Sequence, residues 1–210
     1  HVPSLSRDIL RAKSRRIFMN TIRAFIAVEI DNQTKQKISD LISNLKKSKA
    51  DIKWITEGQM HLTLKFLGNI DNGRVQEISG ALSSISHNVK PFEITLSDIG
   101  AFPNLNRPRV IWAGIAKGAE YLKTISEKIE TGLEKLGFEK EDREFNPHFT
   151  LGRVKTSKDL TELKKLLNET QFNSENEIKI NELVLFQSTL SPKGATYSKL
   201  SVISLQKNPG

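Results

Sequence analysis

The sequence contains no cysteine, which excludes disulfide cross-links, thiolate metal ligands and a cysteine nucleophile. A chain without disulfides suits a reducing compartment, and we expect a cytoplasmic protein. Apolar runs are short, and none approaches the roughly 20 residues that a membrane-spanning helix needs. The sequence also lacks a G-x-x-x-x-G-K-S/T phosphate loop, which argues against an ATP-dependent ligase or kinase.

The composition is that of a folded protein with an excess of positive charge. Of 210 residues, 37% are hydrophobic and 27% are charged, with 12 glycines and 7 prolines, so the chain can bury a core and has room for one domain. The formal net charge of +8 favours a polyanionic partner such as RNA, DNA or a phosphorylated metabolite. We expect a monomer that needs no protein partner and binds no membrane.

Part of the positive charge lies in the first segment of the chain. Residues 1–18 hold five Lys or Arg and one Asp, a net charge of +4, and Met19 stands just before the first strand-like run. We interpret residues 1–20 as a leader, a tag remnant or an over-extended start, expected to be disordered, and residues 21–206 as a single domain. An Arg-rich organelle-targeting segment is the alternative for residues 1–20.

Strand-like and helix-like segments follow one another in the same order twice. Short β-branched or alternating runs predict strands, and apolar residues at spacings of three and four predict helices. The predicted strands are 23–30, 52–55, 61–68, 92–102, 109–115, 148–154, 177–186 and 197–205. Predicted helices follow the first, third, fifth and sixth of these runs.

The two halves of the chain overlay without a gap at an offset of 87 residues. This offset matches Ile26 with Ala113, Ile38 with Ile125, and His61 with His148. Further along, an offset of 84 lays residues 94–102 on residues 178–186. An internal repeat of about half the chain is longer than a solenoid unit and implies a duplicated lobe.

Two lobes that each mix strands with helices, without a long βαβ series, indicate an α+β fold. We expect two pseudo-twofold-related lobes, each an antiparallel sheet with helices on its outer face, around a central cleft. The twofold would bring equivalent strands face to face, and these are the strands that carry the histidines.

Each of the two equivalent strands carries a His-x-Thr sequence. Because alternate side chains of a strand share a face, His61 points with Thr63, and His148 points with Thr150. With 4 His and 13 Thr in 210 residues, random placement gives about 0.25 such tripeptides. Two of them at equivalent positions therefore indicate function rather than a strand that merely faces solvent. His1 and His87 have no comparable setting, so no functional role is predicted for them.

Two imidazoles that face each other can act as a general acid and a general base. One takes a proton from water while the other gives a proton to a leaving oxygen, and the two threonine hydroxyls can bind the nonbridging oxygens of a phosphodiester. A strained cyclic phosphate would suit a mechanism without metal. A zinc site is the alternative for paired histidines, although neither strand has His-x-His or a carboxylate at ligand spacing.

The fifth residue after each histidine differs between the repeats, being Phe66 in one and Arg153 in the other. As substrate-binding residues, Phe66 could stack on a base and Arg153 could pair with phosphate. Strict alternation instead places both opposite the histidines, with Phe66 in the core, unless the strand bulges or ends near Gly152.

By the same alternation Lys65 lies on the face of His61, as a phosphate contact or a solvated charge. Three more basic residues could extend a phosphate track or lie in solvent: Arg107, Arg109 and Lys193.

Residues 61–68, HLTLKFLG, and residues 148–154, HFTLGRV, resemble the two His-x-Thr-x motifs of the 2H phosphoesterases. The runs RAFIAVEI, AFPNLNRPRVIWAGI and STLSPKGATY resemble the bacterial and archaeal RNA 2′,3′-cyclic phosphodiesterases, formerly called 2′-5′ RNA ligases. The resemblance covers about residues 22–206.

The resemblance implies a bilobal fold, hydrolysis of RNA 2′,3′-cyclic phosphate ends to 2′-phosphates without a cofactor, and a weak reverse activity that joins tRNA halves through a 2′-5′ linkage. By analogy His61 is the proton donor to the departing 3′ oxygen and His148 is the acceptor from water, with Thr63 and Thr150 binding the phosphate. The residues alone do not decide which histidine is the acid, since a pseudo-symmetric site looks alike from both sides. A noncatalytic RNA-binding protein with the same basic cleft is the alternative function, although retention of both His-x-Thr pairs speaks against it.

Overall fold

The structure is a computed structural model and describes residues 20–192 and 194–206. The predicted leader, apart from residue 20, and Lys193 lie outside the described residues. Within those two ranges no helix is long and apolar enough to cross a membrane.

The described part of the chain forms nine β-strands and four α-helices. In chain order they are β1 (Thr21–Glu29), α1 (Asn32–Leu45), β2 (Ile52–Trp54), β3 (His61–Asp71), α2 (Val75–Ser86), β4 (Phe92–Phe102), β5 (Val110–Lys117), α3 (Ala119–Glu134), β6 (His148–Val154), α4 (Leu160–Glu169), β7 (Ile178–Ile180), β8 (Glu182–Ser191) and β9 (Gly194–Ser204). The predicted helices are present, and the predicted strand 177–186 is divided into β7 and β8 at Asn181.

The helices begin and pack as their sequences dictate. At the start of α1 the Asp31 carboxylate accepts a hydrogen bond from the Thr34 backbone N–H at 2.8 Å, which satisfies one of the free N–H groups of the first turn. The periodic apolar residues of α1 and α3, such as Ile38 and Ile125, are buried. Each helix therefore presents one apolar face to the core.

The strands form two antiparallel sheets. Sheet A has the order β3-β1-β8-β9, and sheet B has the order β2-β6-β5-β4-β7. Helix α2 packs against β8 and β9, α3 packs against β3 and α2, and α1 packs against α4. This arrangement confirms the predicted α+β fold, in which two antiparallel sheets with helices enclose a cleft.

Each sheet contains strands from both halves of the chain. A simple duplication would instead build each sheet from the strands of one half. In sheet A, β1 and β3 of the first half are joined by β8 and β9 of the second. In sheet B, β5 and β6 of the second half are joined by β2 and β4 of the first. One half of the chain cannot complete either sheet alone.

The predicted gapless overlay of the two halves is wrong by two residues at the first strand of each half. Ala27 and Trp112 are the cross-strand partners of the two motif threonines, so β1 and β5 correspond at an offset of 85 rather than 87. The slip is even, and each side chain therefore keeps its face of the sheet. The predicted offset of 84 is confirmed. Phe102 is paired with Val110, two positions before Trp112, and Phe186 is paired with Phe25, two positions before Ala27.

Apolar side chains cover both faces of sheet A. The main core lies between the sheets and their helices and includes Ile26 and Leu62 from neighbouring strands. Because side chains alternate along a strand, the residues on either side of Ile26 face the cleft instead. They belong to a smaller cluster made of Phe25, Ala27, Val184 and Phe186, with Tyr197 packed against it. This cluster is the floor of the cleft on the side of sheet A.

Candidate active site

The two motif histidines are the first residues of β3 and β6. In β3, Leu62 and Leu64 are buried in the core, so His61 and Thr63 face the cleft as alternation predicts. The pattern repeats in β6, where Phe149 and Leu151 are buried and the His and Thr are partly exposed. Each lobe thus presents one imidazole and one hydroxyl on the same side of a strand.

Both strands contain a β-bulge just after the threonine. The register between β1 and β3 shifts at this point, so that Leu64 is an extra residue in β3. The register between β5 and β6 shifts at the equivalent point and makes Leu151 the extra residue. A bulge places two residues of one strand opposite one of its neighbour, and it reverses the alternation of faces beyond that point.

The bulges turn Phe66 and Arg153 onto the cleft face. Phe66 is 53% exposed, and Arg153 is exposed as well. The prediction from strict alternation, with Phe66 in the core and both residues opposite the histidines, is therefore wrong. Gly152 lies beside the second bulge, where β2 approaches closely: a Cβ atom there would lie 2.7 Å from Ile52 Cγ2, so a larger residue would push β2 away.

Lys65 lies on the buried side of β3, contrary to the parity prediction that it shares the face of His61. Only 4% of Lys65 is exposed. Its Nζ atom pairs with Glu130 Oε2 of α3 at 2.5 Å and donates to the Glu139 backbone carbonyl at 2.9 Å. The bulge explains the error, because it makes Leu64 and Lys65 two successive buried residues, although both still border the cavity described below.

The cleft contains a cavity of about 910 Å³ lined by both His-x-Thr pairs. All six residues predicted for the site line it: His61, Thr63, Phe66, His148, Thr150 and Arg153. Of the other predicted phosphate contacts within the described residues, Lys65 lines this cavity with its ammonium group paired to Glu130, and Arg107 and Arg109 do not line it. The two imidazoles therefore open onto the same space from different sheets.

His61 is surrounded by aromatic rings. Its ring centroid lies 4.7 Å from that of Phe25 and 5.7 Å from that of Phe186, and Tyr197 approaches edge-on at 5.0 Å. Burial among these rings lowers the pKa of His61 from its usual 6.5 to about 4, and the nearby carboxylate of Glu29 opposes the shift. At neutral pH the free protein therefore holds His61 uncharged.

His148 is fixed by a hydrogen bond to the main chain. Its Nδ1 atom lies 2.8 Å from the carbonyl oxygen of Asn146, and a carbonyl only accepts, so Nδ1 carries the proton and Nε2 has a free lone pair. Phe102 packs edge-on against the ring at 5.0 Å. Burial lowers the pKa of His148, the Asn146 carbonyl opposes this, and the charge of Arg153 adds to it. The arrangement keeps His148 as a neutral proton acceptor.

Sequence reasoning did not find the aromatic residues around the histidines or the role of Asn146. The repeat gave one usable signal, since Phe102 and Phe186 match at an offset of 84 and pack against the two equivalent histidines. Tyr197 comes from the far end of the chain, and Asn146 contributes only a backbone atom. Neither has a local pattern that predicts its place.

The lowered pKa of His61 predicts an acid-sensitive contribution to stability. Below pH 6.5 the unfolded chain binds a proton at His61 that the folded chain accepts only near pH 4, so the free energy of unfolding falls as the pH drops through this interval. Between pH 7 and about pH 4.5 the free energy of unfolding should therefore decrease by ~2 kcal/mol less in His61→Gln than in the parent protein, allowing for the partial exposure of the ring. Urea denaturation at each pH measures it. His87→Gln, at an exposed position, is the control and should lose stability like the parent protein. An equal loss in His61→Gln and the parent would contradict the account.

Among residues 20–192 and 194–206, no three His, Asp or Glu side chains converge in a way that could hold a metal ion. The cavity that the histidines line also has hydroxyl, guanidinium and aromatic side chains, together with carboxylate and ammonium groups. Together they can accept a proton, donate a proton and hydrogen-bond a phosphate.

The model of the family described as LigT like Phosphoesterase matches residues 28–112 and 114–197. Similar curated proteins have the name RNA 2′,3′-cyclic phosphodiesterase. The protein of Methanothermobacter thermautotrophicus is 31% identical over 88% of this chain and 99% of its own length. That of Methanocaldococcus jannaschii is 35% identical over 84% of this chain and 96% of its own length.

Solved structures show the same fold. A crystal structure from Thermus thermophilus aligns with a TM-score of 0.74 at 26% identity and covers 88% of this chain and 98% of its own. Escherichia coli LigT complexed with 3′-AMP aligns with a TM-score of 0.72 at 21% identity and covers 89% of this chain and 99% of its own.

Proposed function

Because this chain belongs to the LigT-like phosphoesterases of the 2H superfamily, we propose that it hydrolyses the 2′,3′-cyclic phosphate ends of RNA to 2′-phosphates. One observation carries the proposal: two repeat-related His-Thr pairs, one from each sheet, line a single cavity. A phosphorus atom between them would have an imidazole on two sides and a hydroxyl from each strand. Curated relatives over most of the chain have names that state this substrate.

The proposed reaction moves two protons while one P–O bond forms and one breaks. Water attacks the phosphorus and gives a proton to Nε2 of His148, which is the free nitrogen of that ring. The bond from phosphorus to O3′ breaks, and His61 gives its proton to O3′. The product has a 2′-phosphate and a 3′-hydroxyl, and the excess proton returns from His148 to His61 through solvent.

The proposed phosphate contacts come from both lobes. Thr63 and Thr150 donate their hydroxyls to the nonbridging oxygens, where negative charge increases in the transition state. Arg153, exposed on the cleft face beyond the second bulge, adds a full positive charge and a planar set of donors. The negative phosphate in turn favours protonation of the nearby imidazoles. Substrate binding would therefore help to charge His61, whose pKa is about 4 in the free protein.

RNA is the substrate class that the rest of the cavity supports. Phe66 exposes its ring on the same face as the histidines, where an unpaired base at an RNA end can stack on it. The formal net charge of +8 favours approach of a polyanion. Both histidines belong to one chain, so we propose that a monomer is sufficient for activity.

We extend the proposal to the reverse reaction. In the joining direction the 5′-hydroxyl of a second strand attacks the phosphorus of a 2′,3′-cyclic phosphate and gives its proton to His148, while the bond from phosphorus to O3′ breaks and His61 protonates O3′, which leaves a 2′-5′ diester. Joining two RNA ends through a 2′-5′ linkage needs a hydroxyl of a second strand in the place of the attacking water. The open cleft between the sheets is where that strand would enter.

The direct test of the function is an RNA oligonucleotide that ends in a 2′,3′-cyclic phosphate, incubated with the protein in EDTA. Phosphorus NMR distinguishes the 2′-phosphate from the 3′-phosphate. We expect the 2′-phosphate alone, at the same rate with and without EDTA. Loss of activity in EDTA would contradict the metal-free mechanism, a 3′-phosphate would contradict the assignment of the leaving oxygen, and binding without hydrolysis would favour a noncatalytic RNA-binding protein.

If Phe66 stacks on a base of the substrate, its replacement should lower activity only on substrates that have a base. Base stacking on an aromatic side chain is worth about 1–3 kcal/mol, so Phe66→Ala should lower kcat/KM about tenfold on a cyclic-phosphate nucleotide. On ribose 2′,3′-cyclic phosphate, which has no base, the same variant should react at nearly the parent rate. Tyr121→Ala removes another exposed aromatic side chain away from the cleft and is the control. Equal losses on both substrates would show that Phe66 does not contact the base.

A further inference from the structure

The two histidines differ in the residue that is paired with them across the strand ladder. Glu29 of β1 is the cross-strand partner of His61. Gly114 of β5 is the cross-strand partner of His148. These two strand pairs are equivalent in the repeat, so one lobe has a carboxylate where the other has no side chain.

We propose that Glu29 is a positioning residue that raises the proton affinity of His61, so that the ring can carry the proton it transfers to the leaving oxygen, and that Lys199 sets the strength of this effect. The inference rests on the proposed function, in which His61 is the proton donor. It assigns different roles to two histidines that the repeat alone leaves equivalent.

Glu29 and His61 project from the same face of sheet A. Two residues earlier in β1, Ala27 is paired with Thr63, which faces the cleft, and alternate residues share a face. The Glu29 side chain is 34% exposed, and the aromatic cluster beneath the imidazole keeps water away from one side. A carboxylate near an imidazole favours the charged ring, and the effect is stronger where water is partly excluded.

Lys199 of β9 forms an ion pair with Glu29. Its side chain is 47% exposed, and it reaches the carboxylate from the edge of sheet A. The ammonium group cancels part of the negative field that Glu29 exerts on His61. Removal of the carboxylate and removal of the ammonium group should therefore have opposite effects on the imidazole.

Other titratable and charged groups face His61 from the neighbouring elements. Tyr197 of β9 lies edge-on at 5.0 Å. Arg153 of β6 lines the same cavity. Glu182 of β8 lies beyond β1 in the strand order and lines a second cavity of about 690 Å³ together with Glu29. Glu29 is thus the carboxylate on the strand adjacent to His61.

His148 has the opposite environment. Its Nδ1 proton is held by a backbone carbonyl, and the positive charge of Arg153 disfavours a second proton. With glycine as its cross-strand partner, it gains no counter-charge from the adjacent strand. The charged neighbours therefore act in opposite directions: Glu29 raises the proton affinity of His61 against the effect of burial, and Arg153 lowers that of His148, which is the difference that a proton donor and a proton acceptor require.

The test is an NMR titration of the His61 ring in the 210-residue protein and in three variants. In Glu29→Gln we expect the pKa of His61 to fall by about 0.5 to 1, and in Lys199→Gln we expect a rise of similar size. Glu182→Gln makes the same change of charge two strands away and should leave the titration in place. A purely structural role of the ion pair would instead move both variants in the same direction.

The same variants have a kinetic signature. A fall of about 0.5 to 1 in the donor pKa means about 3-fold to 10-fold less protonated His61 at neutral pH, so Glu29→Gln should lose that factor in kcat/KM near pH 7 and recover part of it at lower pH. No shift of the His61 titration in either variant, or shifts of the same sign, would overturn the inference. Opposite shifts in a protein that hydrolyses no cyclic phosphate would overturn the proposed function and the role of His61 as donor, but not the coupling of Glu29 to its charge.

Discussion

Replacement of either motif histidine by alanine is expected to lower kcat for a 2′,3′-cyclic-phosphate oligonucleotide by about 10³-fold, because each variant removes one of the two proton transfers. KM should change much less, since the threonines and Arg153 remain in place to bind the phosphate. The measurement is a steady-state rate at saturating substrate for His61→Ala and His148→Ala. His87→Ala, at an exposed position outside the cavity, is the matched control and should keep the parent rate.

The double variant separates a concerted pair from two independent contributions. Groups that act as a unit have strongly non-additive effects, so His61→Ala/His148→Ala should be only slightly slower than either single variant. Added imidazole should restore part of the activity of His148→Ala, because the deletion leaves space beside the Asn146 carbonyl. A single variant with the full parent rate would exclude that histidine from the chemistry.

Removal of both motif hydroxyls should have the next largest effect. Thr63→Val and Thr150→Val keep the branched shape that suits a strand and remove one hydrogen-bond donor each. Loss of a donor to developing negative charge typically costs about 10²-fold in kcat, so we expect about that loss for each single variant and a larger one for the pair. Steady-state kinetics on the cyclic-phosphate oligonucleotide measure both.

Thr189→Val is the matched control for the hydroxyl series. Thr189 is an exposed residue of β8 outside the cavity, and its replacement should leave kcat unchanged. Circular dichroism and the urea midpoint should be alike in all of these variants. If Thr63→Val and Thr150→Val together retain the parent kcat, the hydroxyls do not stabilise the transition state, and the phosphate is held by other groups.

The fold class and the two His-Thr pairs could be predicted from the sequence because both depend on short-range patterns. Alternation over a few residues placed Leu62 and Leu64 inside and His61 and Thr63 outside, and the structure has this arrangement. The repeat added long-range information, since equivalent positions of a duplicated chain meet equivalent environments. These signals predicted two antiparallel sheets around a cleft.

The positions of Phe66, Arg153 and Lys65 could not be predicted from alternation alone. Each depends on a bulge at Leu64 or Leu151, and a bulge is set by how a strand is paired with its neighbour rather than by its own sequence. The exchange of strands between the lobes could not be predicted for a related reason. Pairing of β1 with β8 joins residues far apart in the chain. The sequence of each strand suits any of several antiparallel neighbours equally well and does not select one.

The polar neighbours that distinguish the two histidines also lie outside any sequence motif. The Asn146 carbonyl is a backbone atom, which the side chain at that position does not reveal. The pairing of Glu29 with His61 depends on the register between two strands. Such contacts decide the charge of each imidazole, so the chemistry of the site depends on register more than on composition.

A crystal structure with a nucleoside vanadate, which mimics the pentacovalent phosphorus of the transition state, examines the account most directly. We expect one vanadium centre in the cavity with Nε2 of His148 about 3 Å from the oxygen in the position of the attacking water, and the ring of His61 about 3 Å from the oxygen in the position of O3′. A vanadate that contacts only one of the two rings, or that binds outside the cleft, would contradict the claim that the two imidazoles act on one phosphorus atom.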